Sequence, residues 1–576
     1  MSANEKADFI ERLWPSVEEA NRHCPAHARV SKSHILFTSP EKPMARAGKG
    51  TVQRRFTIDS YAAELQALYK DADALQDREV PVKIDSHDLE GSILQLLVFT
   101  TGIKDINKED DFFARGMDSL QVIQTARYLK AGLRECGIEA EGLAPSIIYT
   151  NPTVSKLALA VLALIQDSKT SHESGEKVRA EKIEAILKKY TSWPTTNGIN
   201  RSTKTVILTG STGTLGSYLL SSLLENSSIG KIYCFNRPPD PESRQKHIST
   251  SHGLSTDFFH SRVEFLTSDL TDSSKFGLTT SKYDELRSTA DLVIHNAWQV
   301  NFKLALPSYE DHLLSVQNLI NFSHQSSHTA RLFFISSFGA VANYHSIRNS
   351  HSTVPEEIIT DPQASAPMGY AESKHIAEHM LASASSTLNI PISVCRVGQI
   401  AGPMREGSIG VWNKAEWLPS LVISSVHMGF LPSDLGSLED VDWLPVDGLA
   451  DVIVDLAMNA HEGEEDAEVF HTVNPNKTTW ETLLPAVRSA IGKDVQLVPL
   501  PAWIKKLRAS SEGVLSEDAL KMNPAVKLLG FYEGMLSRSV KLDTRKTETK
   551  SRILAEIGSI KRKWMEKWVR GWLETK

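Results

Sequence analysis

Tyr370 and Lys374 stand four positions apart, a spacing that puts both side chains on one helix face, one turn from each other. A phenol beside an ammonium group is a credible proton donor, because the positive charge favours the phenolate and lowers the tyrosine pKa. Ser336 and Ser337 follow directly on the apolar run Leu332-Phe333-Phe334-Ile335. A hydroxyl at the end of such a strand can be the second donor to a carbonyl oxygen. Upstream, Val206-Ile207-Leu208 runs into Thr209-Gly210-Ser211-Thr212-Gly213-Thr214-Leu215-Gly216 and then an apolar helix over 218–224. Strand, glycine turn and helix start, in that order, suit a dinucleotide: the backbone approaches the pyrophosphate closely and free N–H groups meet its charge. Together these residues could deliver a hydride to a carbonyl and protonate its oxygen.

The next strand, over 232–235, ends in Asn236-Arg237 where an NAD-specific site would carry Asp or Glu. A guanidinium pairs with a 2′-phosphate, so NADPH is the expected cofactor. Arg244 is either a second phosphate contact or a solvated surface arginine. Asp269, after the strand over 263–266, either accepts from the adenine amine or caps the next helix.

A second station lies nearer the N-terminus. Asp110-Asp111-Phe112-Phe113-Ala114-Arg115-Gly116-Met117-Asp118-Ser119-Leu120 ends where a helix begins, with Leu120, Ile123 and Ala126 at helical spacing. Ser119 either caps that helix or presents its hydroxyl for modification.

The elements that must hold these residues can be read from periodicity. Helical patterns over 89–99, from 118 and over 154–165 form a small helical module. From 205 the period changes to short β-rich runs over 206–208, 232–235, 263–266, 292–294 and 332–335, separated by stretches with helical potential. That alternation predicts βαβ units on a parallel sheet. Beyond 442 the chain reads as mostly helical and is expected to cap the sheet. Polar segments over 167–177 and 192–204 read as linkers.

Bulk properties bound the answer. A chain of 576 residues exceeds one hydrophobic core and predicts several domains. At 41% hydrophobic and 23% charged, with a formal net charge of -7, it is ordinary globular material and offers no case for nucleic-acid binding. Cys24, Cys136, Cys234 and Cys395 have neither zinc-knuckle nor disulfide-framework spacing, so no metal is expected. With no secretory signal and no apolar run long enough to cross a membrane, a cytoplasmic location is the expectation.

On Gly210, Gly213, Gly216, Arg237, His295-Asn296-Ala297, Ser337, Tyr370, Lys374 and Asp442-Trp443-Leu444-Pro445-Val446-Asp447, residues 205–576 resemble the thioester reductase domains of carboxylic acid reductases, aminoadipate reductases and fungal synthetase-like reductases. These are extended members of the short-chain dehydrogenase/reductase superfamily. The resemblance implies a Rossmann-like α/β fold whose substrate subdomain comes largely from 400–576. It also implies a Ser337-Tyr370-Lys374 triad, with serine where the family usually has threonine. NADPH would be held by Thr209, Gly210, Thr212, Gly213, Leu215, Gly216, Arg237, Arg244, Asp269, Leu270, Asn296 and Lys374. Trp412 and Trp417 lie in the pocket-forming region.

Residues 85–167 resemble a four-helix peptidyl or acyl carrier domain on the strength of the motif ending at Ser119. This implies 4′-phosphopantetheine on Ser119, installed by a phosphopantetheinyl transferase, and a thioester-tethered acyl substrate. Residues 1–75 resemble the small α+β C-terminal lid of adenylation domains, through 21–30 and Pro43-Met44-Ala45-Arg46-Ala47-Gly48-Lys49-Gly50-Thr51, with Lys49 in the place of the family's lysine. An adenylation core normally precedes that lid in the same polypeptide, so no adenylation is expected from this chain alone. Residues 168–204 would join carrier to reductase as a helix and linker.

The whole reads as NADPH-dependent reductive release of a carrier-bound acyl thioester as an aldehyde, with a further step to the alcohol left open. The alternatives are a free-substrate reductase of the same superfamily, a non-redox cyclising release domain, and a non-catalytic carrier scaffold. Intact Tyr370 and an intact glycine turn speak against the last two. Trp564, Trp568 and Trp572, one turn apart among Lys561, Arg562, Lys563, Lys567 and Arg570, suit either an interfacial helix or a stripe buried on the parent domain, and the buried stripe is the expectation.

Overall fold

The computed structural model describes residues 84–85 and 88–166 with short gaps, 183–187 and 189, and 204–574 apart from 259–261, 303, 349–352, 406–411, 460–466, 511–516 and 536–539, together with scattered positions from 9 to 82. Lys49, the 21–30 likeness and most of both linker segments lie outside the described residues.

Four helices, α1 (Leu89–Thr101), α2 (Ser119–Glu135), α3 (Ser146–Thr150) and α4 (Val154–Gln166), share one core. Ile93, Leu96 and Leu97 of α1 meet Val122 and Leu129 of α2 and Leu157 and Val161 of α4, all fully buried. Asp88 caps α1 through Gly91 N, and Gly102 ends it in the left-handed region at φ 73°.

The remaining chain is organised by seven parallel strands. They and their main helices are β1 (Lys204–Thr209), α5 (Thr214–Glu225), β2 (Ile229–Asn236), α6 (Pro241–Ser251), β3 (Val263–Thr267), β4 (Leu292–His295), α7 (Glu310–Gln325), β5 (Arg331–Ser337), α8 (Gly369–Leu388), β6 (Ile392–Val397), α9 (Trp417–Met428), α10 (Val446–Asn459) and β7 (Glu468–Thr472). The sheet order is β7-β6-β5-β4-β1-β2-β3, all pairings being parallel. On one face α5 and α10 bury Leu219, Leu223, Leu449 and Ile453; on the other α7 and α8 bury Leu313, Ile320, Ile376 and Met380. Each central strand is apolar on both sides, as a sheet covered by two helical layers requires.

The five anticipated β-runs are all strands. Two more were not read from the sequence: β6, and β7, which lies beyond residue 442 yet forms the sheet edge beside β6. The C-terminal part is mostly helical, as expected, but α10 and β7 belong to the sheet sandwich rather than to the cap. Ile183, before the strands begin, is also fully buried in the α7–α8 core.

A separate core collects tryptophans. Trp412, Trp417, Trp443, Trp480, Trp503, Trp568 and Trp572 pack in one cluster with α9, α11 (Trp480–Ile491) and α12 (Arg562–Leu573). Their indole N–H groups mostly find acceptors: Trp480 donates to Pro432 O at 3.1 Å, Trp503 to Ser425 Oγ at 2.9 Å and Trp568 to Pro403 O at 3.1 Å. Trp568 and Trp572 are each 2% exposed, so the α12 stripe faces this core and not an interface. No helix among the described residues is long and apolar enough to cross a membrane.

Trp568→Ala should cost about 3–5 kcal/mol, the range for truncating a buried tryptophan. Trp564→Ala, at a partly exposed position, should cost much less. Urea unfolding followed by far-UV circular dichroism checks the difference.

Candidate active site

β1 ends at the point where neighbouring strands diverge, β2 on one side and β4 on the other, the crevice in which open parallel sheets take ligands. Gly210 sits there at φ 70°, and a Cβ on it would lie 2.9 Å from Ala297 Cα. A Cβ on Gly216 would overlap Gly210 O, so helix α5 can approach the turn this closely only without a side chain. At Gly213 the space is open, with Gly210 O the nearest atom at 3.5 Å. Gly213 is exposed and is the N-cap of α5, so the helix's free N–H groups face that space. Tight packing behind and an open front fit a dinucleotide pyrophosphate.

The other anticipated cofactor residues divide between the front and the scaffold. Thr209 is fully buried: its Oγ1 accepts from Asn296 N at 3.1 Å and Ala297 N at 3.0 Å and meets His295 Nδ1 at 2.9 Å. Its side chain clasps β1 to the end of β4. Asn296 Nδ2 donates to Gly210 O at 3.2 Å, holding the turn from the same side. Asn236, not anticipated as a site residue, accepts from Thr212 Oγ1 at 3.2 Å and donates to Ser211 Oγ at 2.8 Å, occupying the acidic position with a neutral brace. Arg244, on α6, donates to Arg237 O at 2.8 Å and to Thr212 Oγ1 at 3.1 Å. Arg237 and Arg244 are thus exposed and adjacent at the mouth of the turn, as a phosphate would need.

Asp269 Oδ1 accepts from Thr271 N and Thr271 Oγ1, so that oxygen closes a local turn. Leu270 is half-buried and its carbonyl accepts from Asn318 Nδ2 at 2.9 Å; Leu215 is half-buried on the first turn of α5.

The two serines that end β5 are separated by the pleat. The Ser337 hydroxyl lies close enough to the Tyr370 phenol to lower its pKa, and its Oγ accepts from Gly339 N at 3.1 Å. Ser336 points the other way and donates to Glu378 Oε1 at 2.5 Å. Ser337 is therefore the serine that shares the Tyr370 site. Tyr370 stands at the start of α8, where Gly369 lets the helix backbone come against Ala305 and Leu306. Leu304 and Tyr309 pack on the phenol ring, and Phe302, 53% exposed, meets it edge-on at 5.2 Å.

Lys374 departs from expectation. Its Nζ donates to Ile335 O at 2.6 Å and lies 4.0 Å from the Trp298 ring centre and 4.4 Å from that of Phe334. Burial pushes its pKa well below the ordinary lysine value, with Glu378 acting against that shift. Tyr370 is not acidified by its neighbour: burial pushes its pKa up to about 12, opposed by the Ser337 hydrogen bond. The physical reason is that both groups are dry, and removal from water outweighs the attraction expected from helical spacing.

Behind them lies a network that spacing could not reveal. Glu378, one turn beyond Lys374, is paired with Arg396 of β6 through contacts of 2.7 to 3.2 Å. Arg396 Nη1 donates to His471 Nε2 at 3.1 Å, and His471 Nδ1 donates to Asp543 O at 2.7 Å. Burial, and then Arg396, push the His471 pKa down to about 3, so this ring is a neutral bridge. Trp298 was likewise missed; it stacks on His312 at 4.8 Å, and nothing in its spacing marks it. Ser119 begins α2, but its side chain lies outside the described residues.

Comparison with known proteins places this geometry. Residues 208–453 match the family model described as male sterility protein, an NAD-binding family, and residues 1–73 match the AMP-binding enzyme C-terminal domain. The chain is 36% identical over 584 residues to a carboxylic acid reductase of Neurospora crassa, covering 98% of this chain and 54% of that one. It is 32% identical over 541 residues to the adenylate-forming reductase Nps10 of Heterobasidion annosum, covering 91% and 48%. The chain thus spans about half the length of the curated relatives it matches. A thiolation-reductase di-domain from an archaeal non-ribosomal peptide synthetase superposes with a TM-score of 0.56 at 18% identity, over 85% of this chain and 98% of that one, and shares the fold.

Gly213→Val, which fills the open front of the turn, should weaken NADPH and NADH alike by at least about tenfold. Arg244→Ala should weaken NADPH by about 10–100-fold, the worth of a charge-assisted hydrogen bond, and leave NADH within about twofold. Isothermal titration of both nucleotides checks the pair.

Proposed function

This chain is a homologue of fungal carboxylic acid reductases and adenylate-forming reductases, and on that premise we propose that it releases a tethered acyl thioester reductively, as an aldehyde, at the expense of NADPH. Residues 85–167 would be the carrier, bearing 4′-phosphopantetheine on Ser119 after modification by a phosphopantetheinyl transferase. Residues 205–576 would be the reductase, 1–75 the lid of an adenylation domain, and 168–204 the join between them.

The observation that carries this reading is the nearness of the Ser337 hydroxyl, at the carboxyl end of β5, to the Tyr370 phenol, on the same carboxyl edge of the parallel sheet as the glycine turn after β1. NADPH held there would supply the hydride to the thioester carbon, and the hemithioacetal so formed, protonated on oxygen, would break its C–S bond to leave the aldehyde and the free phosphopantetheine thiol. Ser337 and Tyr370 would both hydrogen-bond the thioester carbonyl oxygen and stabilise the charge that grows on it. With its pKa at about 12, Tyr370 is fully protonated at neutral pH and serves as a neutral acid, giving up its proton only as the carbonyl oxygen becomes basic. Lys374, anchored on Ile335 O, fixes the turn of α8 that carries Tyr370 and would offer its remaining donors to the ribose. Arg237 and Arg244 support NADPH over NADH by offering two guanidinium groups where a carboxylate would repel the 2′-phosphate. Tethering favours the reaction by raising the local concentration of the thioester.

Two outcomes test the proposal. Loaded at Ser119 with aryl, aminoacyl or aliphatic groups, the protein should oxidise one NADPH per aldehyde released, read by absorbance and product mass. Ser119→Ala should abolish release, and Tyr370→Phe should slow it about 10²–10⁴-fold, the span of general acid catalysis. Product release without NADPH oxidation would overturn the reductive reading, and full turnover of free substrates with no tethered reaction would restore a free-substrate reductase.

The second outcome concerns pH. A raised acid pKa keeps the proton on Tyr370 below about pH 12, so the single-turnover rate should show no alkaline decline between about pH 7 and 10. A tyrosine acidified by its lysine would lose rate across that interval.

A further inference from the structure

The loop that precedes Ser119 touches the reductase site. Its two phenylalanines part company: Phe112 is 1% exposed inside the four-helix core, whereas Phe113 packs on two cores at once. On its own side Phe113 stacks against Tyr149 at 5.0 Å, with the rings 7° from parallel. On the other it joins the cluster of Leu304, Tyr309 and Tyr370. Beside it Asp111 works in two directions: Oδ1 accepts from Phe113 N at 2.8 Å, fixing the turn, and Oδ2 accepts from Ser308 Oγ of the reductase at 2.9 Å.

The reductase segment that receives this loop borders the Tyr370 ring through Leu304, Tyr309 and Phe302, and leaves Ser308 to the carrier. Tyr309 donates to Asn301 O at 2.6 Å, tying the segment into a loop. Phe302, on the same loop, lies against Tyr370, and Ala305 and Leu306 abut Gly369 at the start of α8. Val300 and Phe302 are 66% and 53% exposed, so the loop offers apolar surface at the mouth of the site.

We propose that Asp111 and Phe113 are the docking key by which the carrier engages the reductase: Asp111 recognises Ser308, and Phe113 closes the apolar cluster over Tyr370, a few residues ahead of the helix begun by Ser119. This rests on the tethered reading above. Asp111 and Phe113 are positioning residues; they make the tethered thioester a local reactant and cover the proton donor from one side, and neither takes part in the chemistry.

Ser308→Asp tests this without touching the core of either domain, because it sets one carboxylate against another. Adding Asp111→Asn restores complementarity: the side-chain oxygen still accepts from Phe113 N, and the new amide can donate to the carboxylate introduced at position 308. Three readouts are taken on the full chain: single-turnover reduction of an acyl group loaded on Ser119, reduction of the same acyl group supplied free as its N-acetylcysteamine thioester, and hydrogen exchange of peptides over 300–309 in unmodified protein. In the Ser308→Asp protein, tethered reduction should fall at least about tenfold, free-thioester reduction should stay within about twofold, and exchange over 300–309 should rise. The double variant should return tethered rate and protection towards those of the parent.

Unchanged tethered reduction, an equal fall of the tethered and free reactions, or no recovery in the double variant would each overturn the docking assignment. Failure of the parent protein to release aldehyde would instead sink the reductive reading, and the exchange arm would still decide whether the contact exists.

Discussion

A buried ion pair underlies the site. Glu378 and Arg396 have side chains only 1% and 0% exposed, on a helix and a strand that must be brought together before either charge is satisfied. Two charges removed from water are tolerated only with good geometry and further hydrogen bonds, and both conditions hold. Glu378 takes two oxygens' worth of contact from Arg396 and one from Ser336; Arg396 reaches His471, and His471 reaches Asp543 O. That chain of contacts sets α8 against β5, β6, β7 and the segment near 543. Because Tyr370 and Lys374 lie on the same helix, two turns and one turn before Glu378, their positions follow from it.

The electrostatics of the site come from dryness. Tyr370 and Lys374 are 9% and 2% exposed, and each is pushed towards its neutral form, the phenol upward and the amine downward. His295 and His312 are pushed down by the same burial, and Lys374 adds to both shifts. A protonated phenol in a low-dielectric pocket is a stronger donor to growing negative charge than one in water. The aromatic faces of Trp298 and Phe334 give the lysine head a partner that does not neutralise it.

The glycine turn and the C-terminal portion are built differently. The glycine turn is a backbone device: Gly210 and Gly216 exist because neighbouring backbone leaves no room for Cβ, while Gly213 leaves its front open. The C-terminal portion is a side-chain device, a tryptophan core with a polar seam. Gln399, just past β6, accepts from Trp417 Nε1 at 2.7 Å and donates to Glu416, which also accepts from Trp412 at 2.7 Å. Burial raises the Glu416 pKa, opposed by those two donors, Trp412 first.

Much of this was legible along the chain. Five of the strands, the glycine turn, the Tyr370–Lys374 face and the helix beginning at Ser119 are local patterns, fixed by side-chain periodicity and by what a turn or a helix face permits. β7 was hidden because Glu468-Val469-Phe470-His471-Thr472 is short and carries three polar residues, all buried only because helix and loop cover that edge. The division of Ser336 from Ser337, the partner of Lys374, the raised Tyr370 pKa and the reach of Phe113 to the reductase were decided by tertiary structure alone. Each depends on which distant surface lies opposite a residue and how much water is left between them. Local spacing encodes direction along one element; burial and partnership arise only when elements far apart in the chain pack together.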